Sequence, residues 1–316
     1  MGRATMKVNQ LTYFQAIVEA GSLSGAAQKL GVAQPALSQQ IAKLEQELDV
    51  SLLERSSRGV TSTAAGDLLY EHSRTILRQI ERAENDVKNL SQSPSGEVTV
   101  VLAASVAQLV AAPLMLAVGQ EFPEIALRIH EGMSINLARL VESGRADLAF
   151  VPSTIFPSNV DAEPILVERL VLGGARGVEG DADAPIAFED ACRFPLVLPT
   201  RPHYVRNTLE QLAFDRGVLL NIKVEQDSAR LLPRIIKSGF VYSILPENGF
   251  FEDYGETDFF SREIVKPELS RALHIIWPKT SSRDRSTTEV RRILRTIITG
   301  LSRSGQLRGD LQFEAD

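Results

Sequence analysis

From Asn9 the apolar residues Leu11, Phe14, Ile17 and Val18 recur at helical steps and stop at Gly21, after which Ser22 is placed to cap a short second helix over 24–30. Gly31 suits the left-handed conformation of a tight turn, and Val32 fills the angle between helices. Pro35 then opens a third helix, where a missing amide proton costs nothing. On that helix Leu37, Ile41, Leu44 and Leu48 make one apolar stripe. At 100° per residue Pro35, Ala36, Gln39, Ala42, Lys43 and Gln46 fall opposite, with Ser38 on the flank. The spacing is that of a helix-turn-helix, and "LDVSLLERSSRGVTST" after it predicts a two-stranded wing.

Thr63 can cap a long helix to about Leu90 on which Leu69, Ser73, Ile76, Ile80, Ala83, Val87 and Leu90 alternate steps of four and three. Only Ser73 breaks that apolar seam. A strip of about 28 residues, about 40 Å long, has no core to enter in so small a domain and needs a partner helix. A homodimer is expected, the alternative being an ordinary amphipathic helix packed on the rest of the chain.

"SQSPSGE", residues 91–97, interrupts the helix, with the hinge over 93–97. Beyond it the runs "VTVVLAA", "ALRIHEG", "DLAFVP", "RLVLGG", "PLVLP", "IKVEQD", "VYSILP" and "ALHIIW" alternate with helical stretches around 106–121, 135–143, 205–216, 228–238 and 287–302. Strand and helix in turn predict parallel sheets with helices on both faces. The chain is expected to leave a first lobe near Gly173, build a second, and return through "FFSREIVKPELSRALHIIW". The domains read as 1–62 for the winged helix-turn-helix, 63–92 for the linker and dimerisation helix, and 98–304 for the α/β part. Within the last, one lobe is 98–173 plus 268–304 and the other 174–267, with 305–316 as a tail.

Charge changes the picture only by segment. The chain carries 34 Lys and Arg against 40 Asp and Glu, a net −6. Residues 1–95 hold ten of each, so the acidic excess lies entirely in the remainder, and a neutral module can still bind phosphate if its cations share a surface. The third helix turns a short, amide-rich, nearly uncharged side outward, where a solvated helix carries Glu and Lys pairs; such side chains suit close approach to base edges in a DNA major groove. Arg55 and Arg58 in the wing could reach phosphates or the minor groove, or be simply solvated.

A single cysteine, Cys192, excludes an internal disulfide and a thiolate metal cluster, and the four histidines lack ligand spacing. There is no phosphate loop, no glycine fingerprint and no G-x-S-x-G, so an enzyme is not expected, nor is a cofactor. No run of about 18 apolar residues and no basic-then-apolar leader is present, and a cytoplasmic protein without membrane contact is expected.

The run "FQAIVEAGSLSGAAQKLGVAQPALSQQIAKLEQELDVSLLERSSRGVTSTAAG" resembles the winged helix-turn-helix of LysR-type transcriptional regulators, with Leu53 and Ser62 departing from the family's usual Phe and Leu. The resemblance implies a mixed fold, an all-α-type winged helix-turn-helix with a long linker helix followed by a two-lobed α/β effector domain of the type II periplasmic-binding-protein kind. It implies double-stranded DNA as partner, with Ala33, Gln34, Pro35, Ser38, Gln39 and Lys43 in recognition positions and Arg55 and Arg58 in the wing. It also implies dimers pairing into homotetramers, RNA polymerase as a further candidate partner, and a small-molecule effector. "LPTRPH" and "LNIKVEQDS" resemble the nitrogen-assimilation-control branch.

Ligands of open α/β sheets sit at the carboxyl ends of strands. The candidates there are Ser105, Met133, Ser134, Val151, Pro152, Thr200, Arg201, His203, Asp227 and Ser228. Several precede helices, whose free amides favour an anionic effector. Ser134 and Ser228 read equally as helix caps, Arg201 also as a surface ion pair, and His203 also as a packed loop residue. Two rivals remain, an enzyme and a DNA-binding assembly protein whose second domain no longer senses anything.

Overall fold

The computed structural model describes residues 6–56, 59–88, 93–132, 134–153, 155–182, 184–249, 258–279 and 284–313. The chain divides into two compact units, one spanning residues 1–90 and the other most of 91–316.

The first unit opens with α1 (Val8–Ala20), α2 (Leu23–Leu30) and α3 (Gln34–Leu48). Leu11, Phe14 and Ile17 of α1 are buried, and Gly21 ends the helix at φ 62°. The Ser22 hydroxyl accepts from the Gly25 amide at 3.1 Å, capping α2 as its sequence predicts. Ala26 and Ala27 bring α2 close to its neighbours, and Gly31 turns the chain at φ 66°. Leu37, Ile41 and Leu44 of α3 are fully buried, each stabilising by about 1.5–3 kcal/mol. Leu48 is not part of that stripe: it lies at the helix end, 38% exposed, where Asp49 turns left-handed. The wing is β1 (Leu53–Ser56) paired antiparallel with β2 (Gly59–Ser62). Glu45 fixes its entry, one carboxylate oxygen accepting from the Leu52 and Leu53 amides at 2.7 and 3.1 Å.

The linker helix α4 (Ala64–Lys88) starts at Thr63, whose hydroxyl accepts from Gly66 N–H at 3.0 Å and donates to Ser51 O at 2.7 Å. Leu69 packs on the helix-turn-helix core. Ser73 is fully buried with its hydroxyl bonded to Tyr70 O, so it does not interrupt the seam with an unmet polar group. Ile76, Ala83 and Val87 are exposed and Ile80 is half-buried in the single chain; Leu90 lies outside the described residues.

The second unit begins with β3 (Gly96–Ala103), α5 (Ala104–Glu121), β4 (Ile125–Gly132), α6 (Ser134–Glu142) and β5 (Leu148–Pro152). β6 (Val160–Ala175) then runs through both lobes. The second lobe continues with β7 (Ile186–Ala187), α7 (Phe188–Ala191), β8 (Leu196–Leu198), α8 (Tyr204–Arg216), β9 (Ile222–Glu225), α9 (Leu232–Lys237), β10 (Ser243–Pro246) and β11 (Phe259–Val265). The chain returns by β12 (Ser270–Pro278), α10 (Arg285–Arg303) and β13 (Asp310–Leu311).

Besides Leu48, four expectations need correcting. The sheet is mixed: β4, β3 and β5 are parallel, whereas β12 runs antiparallel to both β5 and β6. The lobes part earlier on β6 than Gly173, because Leu166 belongs to the first core and Leu170 already to the second. Helix α9 is shorter than the stretch 228–238, since residues 228–231 form the turn that precedes it. The segment from 305 is no tail: Leu307 is fully buried in the first core and β13 pairs with Leu166 and Val167 of β6.

By length and composition α5 could cross a membrane, but here Val106, Val110, Leu114 and Val118 place one of its faces in the first lobe's core.

Candidate functional site

On α3 the side opposite the buried leucines is open to solvent. Ala33, Gln34, Pro35, Ala36, Gln39, Ala42, Lys43 and Gln46 are all exposed and Ser38 is half-buried. Lys43 sits 3.9 Å from Glu47 one turn on, a contact weak enough to leave its ammonium available. Arg55 of the wing donates to the Ser38 hydroxyl at 3.1 Å, so the wing and the start of α3 form one polar surface. Arg58 lies outside the described residues. The face offers amide donors and acceptors, small residues that permit close approach, and cations at its margin, the chemistry of base-edge and phosphate contact.

The second site is a cavity of about 100 Å³ between the two lobes. Ala103, Ala104, Ser105 and Arg271 border it from the first lobe, and His203, Asp227, Leu232 and Leu245 from the second. Arg271 is 4% exposed and directly opposes Glu168 across β12 and β6. Its Nε donates to Glu168 Oε2 at 2.7 Å and its Nη2 to Ser105 Oγ at 2.6 Å. Asn248 Nδ2 donates to the other Glu168 oxygen at 2.6 Å, so both carboxylate oxygens of this buried residue are met.

His203 precedes α8 and its Nδ1 accepts from Val205 N–H at 3.2 Å. Burial, helped by the positive charge of Arg271 and opposed by Asp227, lowers its pKa to about 4, so the ring is neutral and Nε2 carries the proton. Asp227 accepts from the Thr200 amide at 2.8 Å and the Thr200 hydroxyl at 2.6 Å, and these bonds hold its carboxyl below the usual range.

Of the residues singled out from sequence, Ser105, His203 and Asp227 border the cavity, and Thr200 reaches it through Asp227. Three do not. Arg201 forms a two-pronged ion pair with Glu210, at 2.7 and 2.6 Å, on the surface of the second lobe. Ser228 accepts from Leu231 N–H at 3.3 Å and so caps the turn before α9. Pro152 lines a separate open groove with Ile155, Tyr204 and Asn207. Met133 lies outside the described residues, as does the side chain of Ser134. Sequence reasoning missed Arg271 and Glu168. The only local sign was a charge inside each of two apolar strands, "LVERLVL" and "LSRALHI".

Cys192 is buried at the end of α7, and burial pushes its thiol up to about 12. Among the described residues no group of His, Cys, Asp and Glu could hold a metal ion.

Two family models match the chain: a bacterial regulatory helix-turn-helix protein of the lysR family over residues 8–67, and the LysR substrate binding domain over 91–297. The nitrogen assimilation regulatory protein nac of Escherichia coli strain K12 is 33% identical over 93% of this chain and 96% of its own length. The DNA-binding transcriptional dual regulator OxyR of the same organism is 25% identical over 86% of this chain and 89% of its own. Among solved structures, a full-length OxyR variant of Pseudomonas aeruginosa superposes with a TM-score of 0.72 at 20% identity, covering 93% of this chain and 95% of the other. Full-length CbnR complexed with its target DNA gives 0.63 at 23%, covering 93% and 99%. By its helix-turn-helix, its two-lobed domain and these matches, the chain belongs to the LysR family of DNA-binding transcriptional regulators with an effector-binding domain.

Proposed function

We propose that this regulator reads a specific DNA sequence through α3 and answers to a small effector carrying an anionic group, a carboxylate, bound between the lobes of its second unit. The observation that carries the DNA part is the exposed face running from Gln34 to Gln46, opposite the fully buried Leu37, Ile41 and Leu44. Gln39 reads a base edge, while Arg55, Arg58 and Lys43 meet phosphates. Gln39→Ala should relax preference at one base pair by about 1–3 kcal/mol with little change in salt dependence. Measuring binding to a panel of single-base operator variants checks this, and an unchanged base preference would sink the assignment of α3.

The carboxylate reading rests on the donors gathered at the first-lobe side of the cavity, Ser105, Arg271 and the start of α5, which has no side-chain cap. Binding confined to compounds without an anionic group would overturn it. The effector acts by favouring one arrangement of the lobes, which needs only differential affinity for the two arrangements. The protein works in the cytoplasm without a cofactor or a membrane, as a homodimer joined along α4 that pairs into tetramers, and touches RNA polymerase where its site adjoins a promoter. Likeness to nac makes nitrogen-assimilation genes, above all any transcribed divergently beside this one, the first targets to test. The name that other relatives carry, hydrogen peroxide-inducible genes activator, is not taken over for this chain, since Cys192 is buried with little thiolate at neutral pH to be oxidised.

A further inference from the structure

The cavity between the lobes has two chemically opposite ends. At the first-lobe end Ser105 accepts from Arg271 through its oxygen, which leaves the hydroxyl hydrogen to donate elsewhere. Ala103, Ala104 and Ser105 all border the cavity where α5 starts, and first-turn amides without a side-chain cap need an acceptor. That end is a cluster of directed donors. At the second-lobe end Asp227 presents a carboxylate that Thr200 holds in place by one bond to each oxygen, with lone pairs remaining.

Charge decides between ligand classes. Glu168 cancels Arg271, the neighbouring Arg201 and Arg206 are matched by Glu210 and Glu225, and His203 is neutral. The residual charge is that of Asp227. A bare carboxylate would enter a site of its own sign, whereas a ligand that also carries a cation meets opposite charge at the Asp227 end and directed donors at the other.

We propose that the cleft takes a small amino-acid-like zwitterion, its carboxylate meeting Ser105, Arg271 and the first-turn amides of α5, and its ammonium meeting Asp227. The proposal rests on the effector reading above and narrows it. Each charged group of the ligand belongs to a different lobe, so binding couples the two. A cavity of about 100 Å³ with Leu232 and Leu245 in its wall fits a short aliphatic side chain.

Calorimetry on the full-length protein tests it with the twenty standard amino acids, the small ones accompanied by their deaminated and decarboxylated counterparts: alanine with propionate and ethylamine, valine with isovalerate and isobutylamine. At least one amino acid should bind about tenfold or more tighter than either counterpart. Asp227→Asn, with folding checked by circular dichroism, should abolish that margin by weakening the amino acid, while the carboxylate, relieved of a like charge, binds as tightly as before or tighter. A carboxylate that binds as tightly as its amino acid overturns the zwitterion and leaves the carboxylate effector standing. Binding of amines alone overturns both, and silence of every amino acid at millimolar concentration overturns the zwitterion.

Discussion

Gly66 sits where α4 leaves the wing, and a Cβ there would lie 2.1 Å from the Leu52 carbonyl oxygen. That oxygen also accepts from Thr63 N–H, so it cannot retreat without loosening the cap of α4. Gly66→Ala should therefore destabilise the DNA-binding unit by about 1–3 kcal/mol despite alanine's better helix propensity. Urea unfolding followed by circular dichroism reads this, and a neutral or stabilising result would mean that the wing and α4 are not so tightly joined. His203 makes a pH-dependent contribution. Its folded pKa of about 4 lies below the usual 6.5, so the native state binds fewer protons than the unfolded one. The stability it supports is present above about pH 6.5 and is lost as pH falls towards 4, where protonation also removes the acceptor of the Val205 amide. His203→Asn, which keeps a capping oxygen, should flatten the loss in that window, as urea midpoints measured from pH 7 to pH 4.5 would report.

At the scale of elements, what the sequence displays depends on how local the cause is. The three helices of the reading head follow from steps of three and four, a serine cap and two left-handed glycines, all within 40 residues, and they form where predicted. β6 is harder to see because charged residues and Pro164 break its first half, yet it pairs with β12 along that half and with β10 and β11 beyond it. The cavity shows the same limit. Pro, Thr and His in "LPTRPH" mark a loop locally, but the functional weight of Arg271 depends on Glu168, 103 residues away. For α4, the exposed line of Ile76, Ala83 and Val87 with half-buried Ile80 is an unmet apolar seam. Burying such side chains contributes about 1.5–3 kcal/mol each, so Ile80→Asp with Val87→Asp should weaken self-association by about 100-fold or more. Sedimentation equilibrium would report a shift to monomer, with operator affinity falling in step; an unchanged mass would place the dimer contact elsewhere.

For the second unit as a whole, the telling feature is where its one deeply buried ion pair among the described residues lies. The chain passes between lobes on β6 between Leu166 and Leu170 and returns between Leu269 and Leu273 at the start of β12, and Glu168 and Arg271 stand at these two crossings. Asn248 joins them from the end of β10, bonding Glu168 and both the amide and carbonyl of Arg308, so the two lobes and the segment after α10 meet at one carboxylate. Such a pair need not add stability, because desolvating two charges offsets most of their attraction. Breaking it is another matter. Glu168→Ala strands a guanidinium that is 4% exposed and should cost about 3–5 kcal/mol, whereas Glu168→Leu with Arg271→Met should lie much nearer the unaltered protein. The two effects part company in function, since both variants lose the donor geometry at Ser105 and with it ligand binding, while only the first loses the fold. Urea unfolding beside calorimetry separates them. A single variant as stable as the double would show that water reaches this pair, and the crossing would then be a wet hinge in place of a dry polar joint.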